Sequence, residues 1–398
     1  MSPYRVLIVE DHPFQHEYLV HVFNEAGGFN VDTVWDGQTA LQSLAGGHYD
    51  LLLSDLLMPG MDGVQLIQQL ATLDKPPVLA LMSVASRRML EGAGLAARNL
   101  GLTVAGLISK PVQATAVQRL RDCLDQIGGA PRGASGQPIL DDVDAVAAAL
   151  HNGQIQAWFQ PKKSLCDGRI VGAEALARWL HPGAGLLMPG AFLGSVQRAG
   201  LEETLLWLTL RHTLAAQQHW RRKGYSIPVS INLPTHLLDQ HDLADRLHAQ
   251  VVEQGADPQQ VIFELMETST AHQLSDYYAG ACRLRMKGFG LAQDDFGQGF
   301  SSYFNLVSTP FSELKLDRSL VHGCADNEHL ATALQSIVEL CRKFGLAVVA
   351  EGVETHAELM LLRRIGCEQV QGFLISPAVA VDRFSTLLVE DGPAPALS

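Results

Sequence analysis

Short apolar runs alternate with helically spaced apolar positions twice over in this chain, once on each side of a stretch that shows neither pattern. On the N-terminal side the runs are Arg5–Val9, Val31–Trp35, Leu51–Ser54, Val78–Met82 and Gly106–Ser109. Their alternation with helical patterns predicts a parallel sheet with helices on both faces, a doubly wound (βα)5 unit of the α/β class. The stretch IGGAPRGASGQP, residues 127–138, is rich in Gly, Pro, Ala and Ser and reads as a linker. After it, Val143–Leu150 predicts a short helix. From residue 141 onward a series of apolar runs, separated by helical patterns such as Glu203–Lys223 and Leu330–Phe344, predicts a (β/α)8 TIM-like barrel. The expected division is 1–126, a linker at 127–140, and 141–392.

In a doubly wound sheet the reactive edge lies beyond the carboxyl ends of the strands. In the first unit those ends carry Glu10 and Asp11, Asp55, Ser83, and Lys110 followed by Pro111. Carboxylates gathered at one edge repel one another unless a hard cation such as Mg²⁺ lies between them. One Asp at a strand end is usually a helix cap. The set predicts a site in which Asp55 is the nucleophile for a phosphoryl group, with Ser83 and Lys110 pairing to its oxygens.

The second unit repeats the pattern on a larger scale. IQAWF ends at Gln160, IVGA at Glu174 with the run continuing to Arg178, IPVSI at Asn232, and VIF at Glu264. GLAQ ends at Asp294 and Asp295, SELKLD carries Lys315 and Asp317, LAVVA ends at Glu351, and EQV at Gln371. In a barrel these ends meet on one face, where active sites of this architecture sit. An acidic residue after one strand more often caps the next helix, but a succession of them with Asn and Lys interspersed is poorly explained as caps. Carboxylates with one Asn suit Mg²⁺ or Mn²⁺ rather than structural zinc. The adjacent pair Asp294–Asp295 suggests two ions sharing a ligand, roughly 3.5–4 Å apart, as in-line phosphoryl displacement uses them. His181, His212 and His236 stand at no ligand-like spacing and read as surface or helix residues. FGQGFSS, directly after the paired Asp, reads as a gating loop.

Composition narrows the partners. The 398 residues carry a formal net charge of −13 and are 47% hydrophobic and 18% charged, an ordinary globular balance. That charge argues against binding duplex DNA or RNA, which needs clustered Lys and Arg. It leaves room for a small nucleotide held through metal ions. The six cysteines form no C-x-x-C pair and no targeting segment precedes the first strand, so reduced thiols in a cytoplasmic protein are expected. No apolar run is long enough to span a bilayer, so no membrane contact is expected.

The motifs VLIVED, LLLSDLLMPGMDG, LMSVAS and LISKP resemble those of response-regulator receiver domains. The resemblance implies phosphorylation of Asp55 by a sensor histidine kinase. It also implies one Mg²⁺ held by Glu10, Asp11, Asp55 and the backbone carbonyl of Leu57, with Ser83 and Lys110 as switch residues. The family usually has Tyr or Phe three residues before its conserved Lys; here that position is Leu107. AEALARW, SINLP, FELMET, DDFGQGFSS, LKLDRSL, VVAEGVET and QGFLISP resemble the EAL-domain phosphodiesterases that hydrolyse cyclic di-GMP, and the domain order resembles the RocR-like response regulators.

That second resemblance implies Glu174, Asn232, Glu264 and Asp294 as ligands of one ion, with Asp294 bridging to a second completed by Asp295. It implies that Lys315 orients the attacking water. It gives Glu351 one of two roles, general base or ligand of the second ion, without deciding between them. Gln160, Leu176, Arg178 and Gln371 are implied as contacts to the dinucleotide, Arg178 through a phosphate, and Glu267 as the anchor of the DDFG loop. Phe159, Phe300 and Phe373 stand where tyrosines are common, Ala177 where a larger aliphatic residue is, and Pro234 where Ser often is. No metal-ligand type is lost, which favours hydrolysis to pGpG over the alternative of a silent cyclic di-GMP receptor. Homo-oligomerisation, as dimer or tetramer, is a further implication.

Overall fold

The computed structural model describes residues 3–84, 87–129, 142–266, 274–298 and 303–392. The chain divides into two compact units, Met1–Gly136 and Gln137–Ser398. No helix among the described residues is long and apolar enough to cross a membrane.

In the first unit β1 (Tyr4–Val9), β2 (Phe29–Val34), β3 (Leu51–Asp55), β4 (Val78–Ser83) and β5 (Val104–Ser109) form one parallel sheet in the order β2-β1-β3-β4-β5. The order departs from the chain sequence on both sides of β1, so the carboxyl ends of β1 and β3 flank a topological switch point. Side chains of successive strand residues point to opposite faces. Leu7 and Val9 therefore pack with Leu66, Ile67 and Leu90 on one face, and Val6 and Ile8 with Leu19, Phe23 and Val117 on the other. The last helix runs Ala114–Gly129. It extends three residues into the segment expected as linker, whose remainder, 130–140, lies outside the described residues.

The second unit begins with the helix Val143–His151, capped by Asp142, whose carboxylate accepts the Ala145 N–H at 3.0 Å. Its sheet comprises β6 (Ile155–Ser164), β7 (Ile170–His181), the short β8 (Gly185–Leu187), β9 (Val229–Asn232), β10 (Val261–Met266), β11 (Gly290–Phe296), β12 (Glu313–Leu316), β13 (Ala347–Ala350) and β14 (Gln369–Val370). The pairings β7-β9-β10-β11-β12-β13-β14-β6 close through β6–β7 into an eight-stranded barrel, with β8 an appendage on β7.

One feature departs from an all-parallel ring. β6 is antiparallel to both neighbours. Gln160 is therefore not at a carboxyl-terminal strand end, as the linear reading had it, but mid-strand, directly opposite Glu174. The cause is the tight connection after Ser164, whose N–H and C=O bond Arg169 and Gly168. So short a connection can join only antiparallel strands.

The barrel strands alternate as their sequences do. Val229, Ile231, Phe263, Leu265, Leu314, Leu316, Val348 and Ala350 belong to the apolar cluster shared with the surrounding helices. The intervening residues Ser230, Asn232, Glu264, Lys315 and Glu351 fall on the inner side.

Candidate active site

The inner rim of the barrel collects five carboxylates around one ammonium. Lys315 Nζ lies 2.7 Å from Glu264, 2.8 Å from Asp294, 2.8 Å from Glu351 and 3.4 Å from Glu174. Burial works against the Lys315 charge, but Glu174, Glu264, Glu351 and Asp294 outweigh it and hold the group well above the ordinary lysine value. The carboxylates feel the converse. Burial and the neighbouring Glu174 raise Glu264. Burial, with Asp294 and Glu174 adding repulsion against the pull of Lys315, raises Glu351 well above the usual range. Asp295 is pushed up to about 6 by burial, then by Asp294 and Asp317.

Asp295 is also the one non-glycine residue with positive φ, 53°, among the described residues. Asp tolerates this region better than most residues, and such conformations collect at functional sites. The turn carries adjacent carboxylates into one locality, although neighbours on a regular strand would diverge. One carboxylate oxygen from each of Asp294, Asp295 and Glu351 lies within 4.8 Å of the others.

Gln160, Leu176, Arg178 and Gln371, the residues expected as dinucleotide contacts, lie on β6, β7 and directly after β14. Gln371 Nε2 donates to Glu174 Oε2 at 2.5 Å and to Gln160 Oε1 at 3.0 Å, and Gln160 Nε2 donates to the Ser376 carbonyl. Asn232 Nδ2 reaches Glu174 Oε1 at 3.4 Å. Leu176 and Arg178 follow Glu174 on the same side of β7. Arg178 is buried and donates Nη1 to the Ala177 carbonyl. A cleft of about 360 Å³ opens beside Asn232 and is lined by Leu176, Ala177, Pro234 and Met266. Gln160, Glu174, Glu351 and Gln371 face a second cleft that also holds Arg318 and Phe373. Glu267, and the loop after Gln298, lie outside the described residues.

The donor set fits divalent cations. Five carboxylates gather here with the Asn232 amide beside them, and Lys315, with Lys162 reaching Glu264 alone among the five, cannot balance their charge; hard oxygen donors of this kind suit Mg²⁺ or Mn²⁺. His181, His212 and His236 have other partners, and His181 ends β7, half-buried on a strand rather than on a helix or at the surface. His181 Nδ1 accepts the N–H groups of Gly183 and Ala184, His212 Nδ1 that of Ala157, and His236 pairs with Glu202.

Three site residues escaped the sequence reading. Lys162, fully buried on β6, donates to Glu313 at 2.6 Å and Ser230 at 2.7 Å. Glu313 opens β12 two residues before Lys315, and the E-x-K-x-D alternation of SELKLD was the available signal. Gln298 Nε2 donates to Asp317 at 2.8 Å and reaches Asp295 at 3.4 Å, so it braces the strained Asp. Asp317, read as a rim residue, caps the helix Arg318–Val321 through the Ser319 N–H.

The first unit has its own acidic edge. Glu10, Asp11 and Asp55 each offer a carboxylate oxygen within 4.8 Å of the others. Lys110 Nζ pairs with Glu10 at 2.6 Å and with Asp55. Burial opposes its charge, and the bonds to Asp55 and Glu10 outweigh it, raising Lys110 above the ordinary value. Ser83 ends β4 and is buried. Leu57, exposed on the loop after β3, donates its N–H to Asp55 Oδ1 at 3.1 Å. Leu107 rests against Gly94, where a side chain would come within 2.8 Å of it.

Comparison with known proteins places both units. Residues 143–378 match the model of the EAL domain, and residues 6–121 that of the response regulator receiver domain. The chain is 30% identical over 388 residues to the cyclic di-GMP phosphodiesterase RocR of Pseudomonas aeruginosa, covering 96% of this chain and 98% of RocR. It is 32% identical to MucR of the same organism, a bifunctional diguanylate cyclase and cyclic di-GMP phosphodiesterase, over 61% of this chain and 36% of MucR. Among solved structures, the MucR phosphodiesterase in complex with c-di-GMP superposes with a TM-score of 0.57 at 32% identity, covering 61% of this chain and 98% of that one. The EAL enzyme Bd1971, bound to cAMP and cyclic di-GMP, gives 0.59 at 25% identity, covering 70% and 77%.

Proposed function

This chain belongs to the EAL-domain family and carries a response regulator receiver domain ahead of its EAL domain; it is a phosphodiesterase, and we propose that it opens cyclic di-GMP to the linear dinucleotide pGpG with two divalent cations, under control of phosphorylation at Asp55. The observation that carries the reading is the convergence of Glu174, Glu264, Asp294, Asp295 and Glu351 around the ammonium of Lys315.

Glu174, Asn232, Glu264 and Asp294 would hold one ion, and Asp294 with Asp295 a second; Mg²⁺ or Mn²⁺ suits both. Bound there, the ions would supply Lewis-acid charge and lower the pKa of water. The place of Glu351 beside the Asp pair supports a ligand role over that of a free general base. Gln371, tied to both Gln160 and Glu174, orients these two, and its Oε1 is buried without a hydrogen-bond partner among the described residues. Arg178 offers a phosphate the charge that burial makes costly to leave unpaired. Lys315, no longer needed to balance every carboxylate once cations are bound, can orient the attacking water and stabilise charge on the phosphorus oxygens.

In the receiver domain, Glu10, Asp11 and Asp55 with the Leu57 carbonyl would hold one Mg²⁺. A sensor histidine kinase would phosphorylate Asp55, with Lys110 and Ser83 receiving the phosphoryl oxygens. Assembly into a homo-oligomer is part of the same reading, as is a cytoplasmic location.

The test is to incubate the purified protein with cyclic di-GMP and Mg²⁺ or Mn²⁺ and to follow pGpG by chromatography, with Glu174→Ala and Glu351→Ala beside it. The wild type is expected to yield pGpG and both variants to lose it. A wild type that binds cyclic di-GMP with metal present yet makes no pGpG, even after acyl-phosphate treatment, would replace hydrolysis by a receptor function.

A further inference from the structure

Barrels of this size usually fill their interior with layers of branched apolar side chains. Beneath the carboxylate rim this one places charge instead. Glu313 of β12 and Lys162 of β6 are buried and 2.6 Å apart. Lys162 Nζ is 3.5 Å from Glu264 Oε1, while Glu264 Oε2 is 2.7 Å from Lys315. Lys315 in turn meets Asp294 and Glu351 at 2.8 Å. The result is a ladder of alternating sign from the barrel interior to its mouth: Glu313, Lys162, Glu264, Lys315, then the rim carboxylates. Ser230, at 2.7 Å, takes a further N–H of Lys162. Glu264 is fully buried with one ammonium on each oxygen, the lower from a strand that contributes no metal ligand.

We infer that Lys162, with Glu313 as its counter-ion, is a positioning residue for Glu264, which it holds in place for metal binding. The inference rests on the metal-site reading above. Lys315 and a cation compete for the Glu264 oxygen that faces the rim, so Lys315 cannot both fix Glu264 and yield to the ion. Lys162 approaches the other oxygen from inside the barrel, where it does not obstruct the rim. It thus constrains the side chain whether or not Lys315 has moved. Glu313 keeps Lys162 from leaning fully on Glu264, which would raise the cost of offering that carboxylate to a metal. Partners behind a ligating carboxylate commonly change metal affinity by about 10–100-fold.

The test uses the full-length chain carrying Asp55→Asn, which removes a receiver ligand. Mn²⁺ binding is measured from the free-ion signal in electron paramagnetic resonance. Lys162→Met alone would strand a buried Glu313, so the informative variant is Lys162→Met/Glu313→Leu. Replacing a buried ion pair with apolar groups is often neutral for stability. Expected are a melting temperature in EDTA no lower than the parent's and a Mn²⁺ dissociation constant raised about tenfold, with kcat recovering at saturating Mn²⁺. Glu313→Gln, a nearly isosteric change that leaves Lys162 without its nearest carboxylate, is expected to weaken Mn²⁺ binding as well, and it decides the matter if the double variant fails to fold. Parental Mn²⁺ affinity in the folded variants would overturn the inference. A wild-type chain that binds Mn²⁺ but makes no pGpG, even after acyl-phosphate treatment, would instead count against the hydrolysis reading and leave this one standing.

Discussion

Gly372 lies so close to the Val353 backbone that a β-carbon on it would come within 2.2 Å of the Val353 carbonyl oxygen and 2.3 Å of its nitrogen. The neighbouring bonds explain the closeness. Val353 N–H donates to the Gln371 carbonyl at 3.1 Å, and Leu374 N–H to that of Val353 at 3.0 Å. Only a residue without a side chain lets these two turns interlock, and the interlock sets Gln371 against Glu174. Gly372→Ala is therefore expected to cost about 1–3 kcal/mol, the usual price of overpacking, and to lower turnover at least tenfold as Gln371 shifts. Thermal melts and pGpG formation check both. Unchanged turnover would separate Gln371 from catalysis.

The crowding of like charge at the rim predicts opposite effects on stability and activity. Glu351 is held well above its ordinary value, first by burial, with Asp294, Glu174 and Glu264 opposing the pull of Lys315. Its ionised form near neutral pH thus works against folding in the absence of metal. Glu351→Gln should raise the melting temperature in EDTA while abolishing pGpG formation. Cations should narrow the difference, since a ligand at 100 times its dissociation constant stabilises the protein by about 2.7 kcal/mol. A variant that melts below the wild type in EDTA would show that the Lys315 pairing outweighs the repulsion.

Away from the site, Glu203 supplies a clean pH dependence. Gln240, Trp207 and Arg246 all donate to its carboxylate, and with the Arg246 charge they bring it down to about 2. A depressed carboxylate contributes stability that is present above its unfolded value and is lost as pH falls from about 4.5 toward 2. Partial exposure screens the contribution to about 1 kcal/mol. The free-energy gap between wild type and Glu203→Gln in denaturant titrations should thus be present at pH 6 and shrink on acidification through that window. A gap independent of pH would refute it.

The thiols should divide by burial. Cys367 is pushed up to about 12, and Cys324 and Cys341 to about 11, chiefly by burial. Cys166 and Cys282 are exposed. Because thiolate is the reacting form, alkylation of native protein should modify Cys166 and Cys282 first and reach the three buried thiols only in denaturant. Peptide mapping reads this directly, and early loss of Cys367 would contradict its placement.

Phosphorylation at Asp55 should change turnover. Its carboxylate is bridged by Lys110 to Glu10, so a phosphoryl group there must redraw those pairs. Acyl-phosphate treatment is expected to alter pGpG formation by the wild type and to leave Asp55→Asn unaffected. If both proteins respond identically, control does not run through Asp55.

The sequence alone determined the strands, their order along the chain and the chemistry at their ends. These are local properties: a period of two along β9, β10 and β12, polar residues where apolar runs stop, and turns at glycines. Glu174, Asn232, Glu264, Asp294, Asp295, Lys315 and Gln371 were legible for that reason, as were Glu10, Asp55 and Lys110. The tertiary structure alone decided matters of register and direction between distant strands. It reversed β6, which set Gln160 opposite Glu174 and brought Lys162 across the barrel to Glu313, 151 residues away. It grouped Glu351 with the Asp pair through the positive φ of Asp295. A linear pattern records which face a side chain takes on its own strand. It holds no record of what lies across a closed barrel, because closure fixes those distances through hydrogen-bond register.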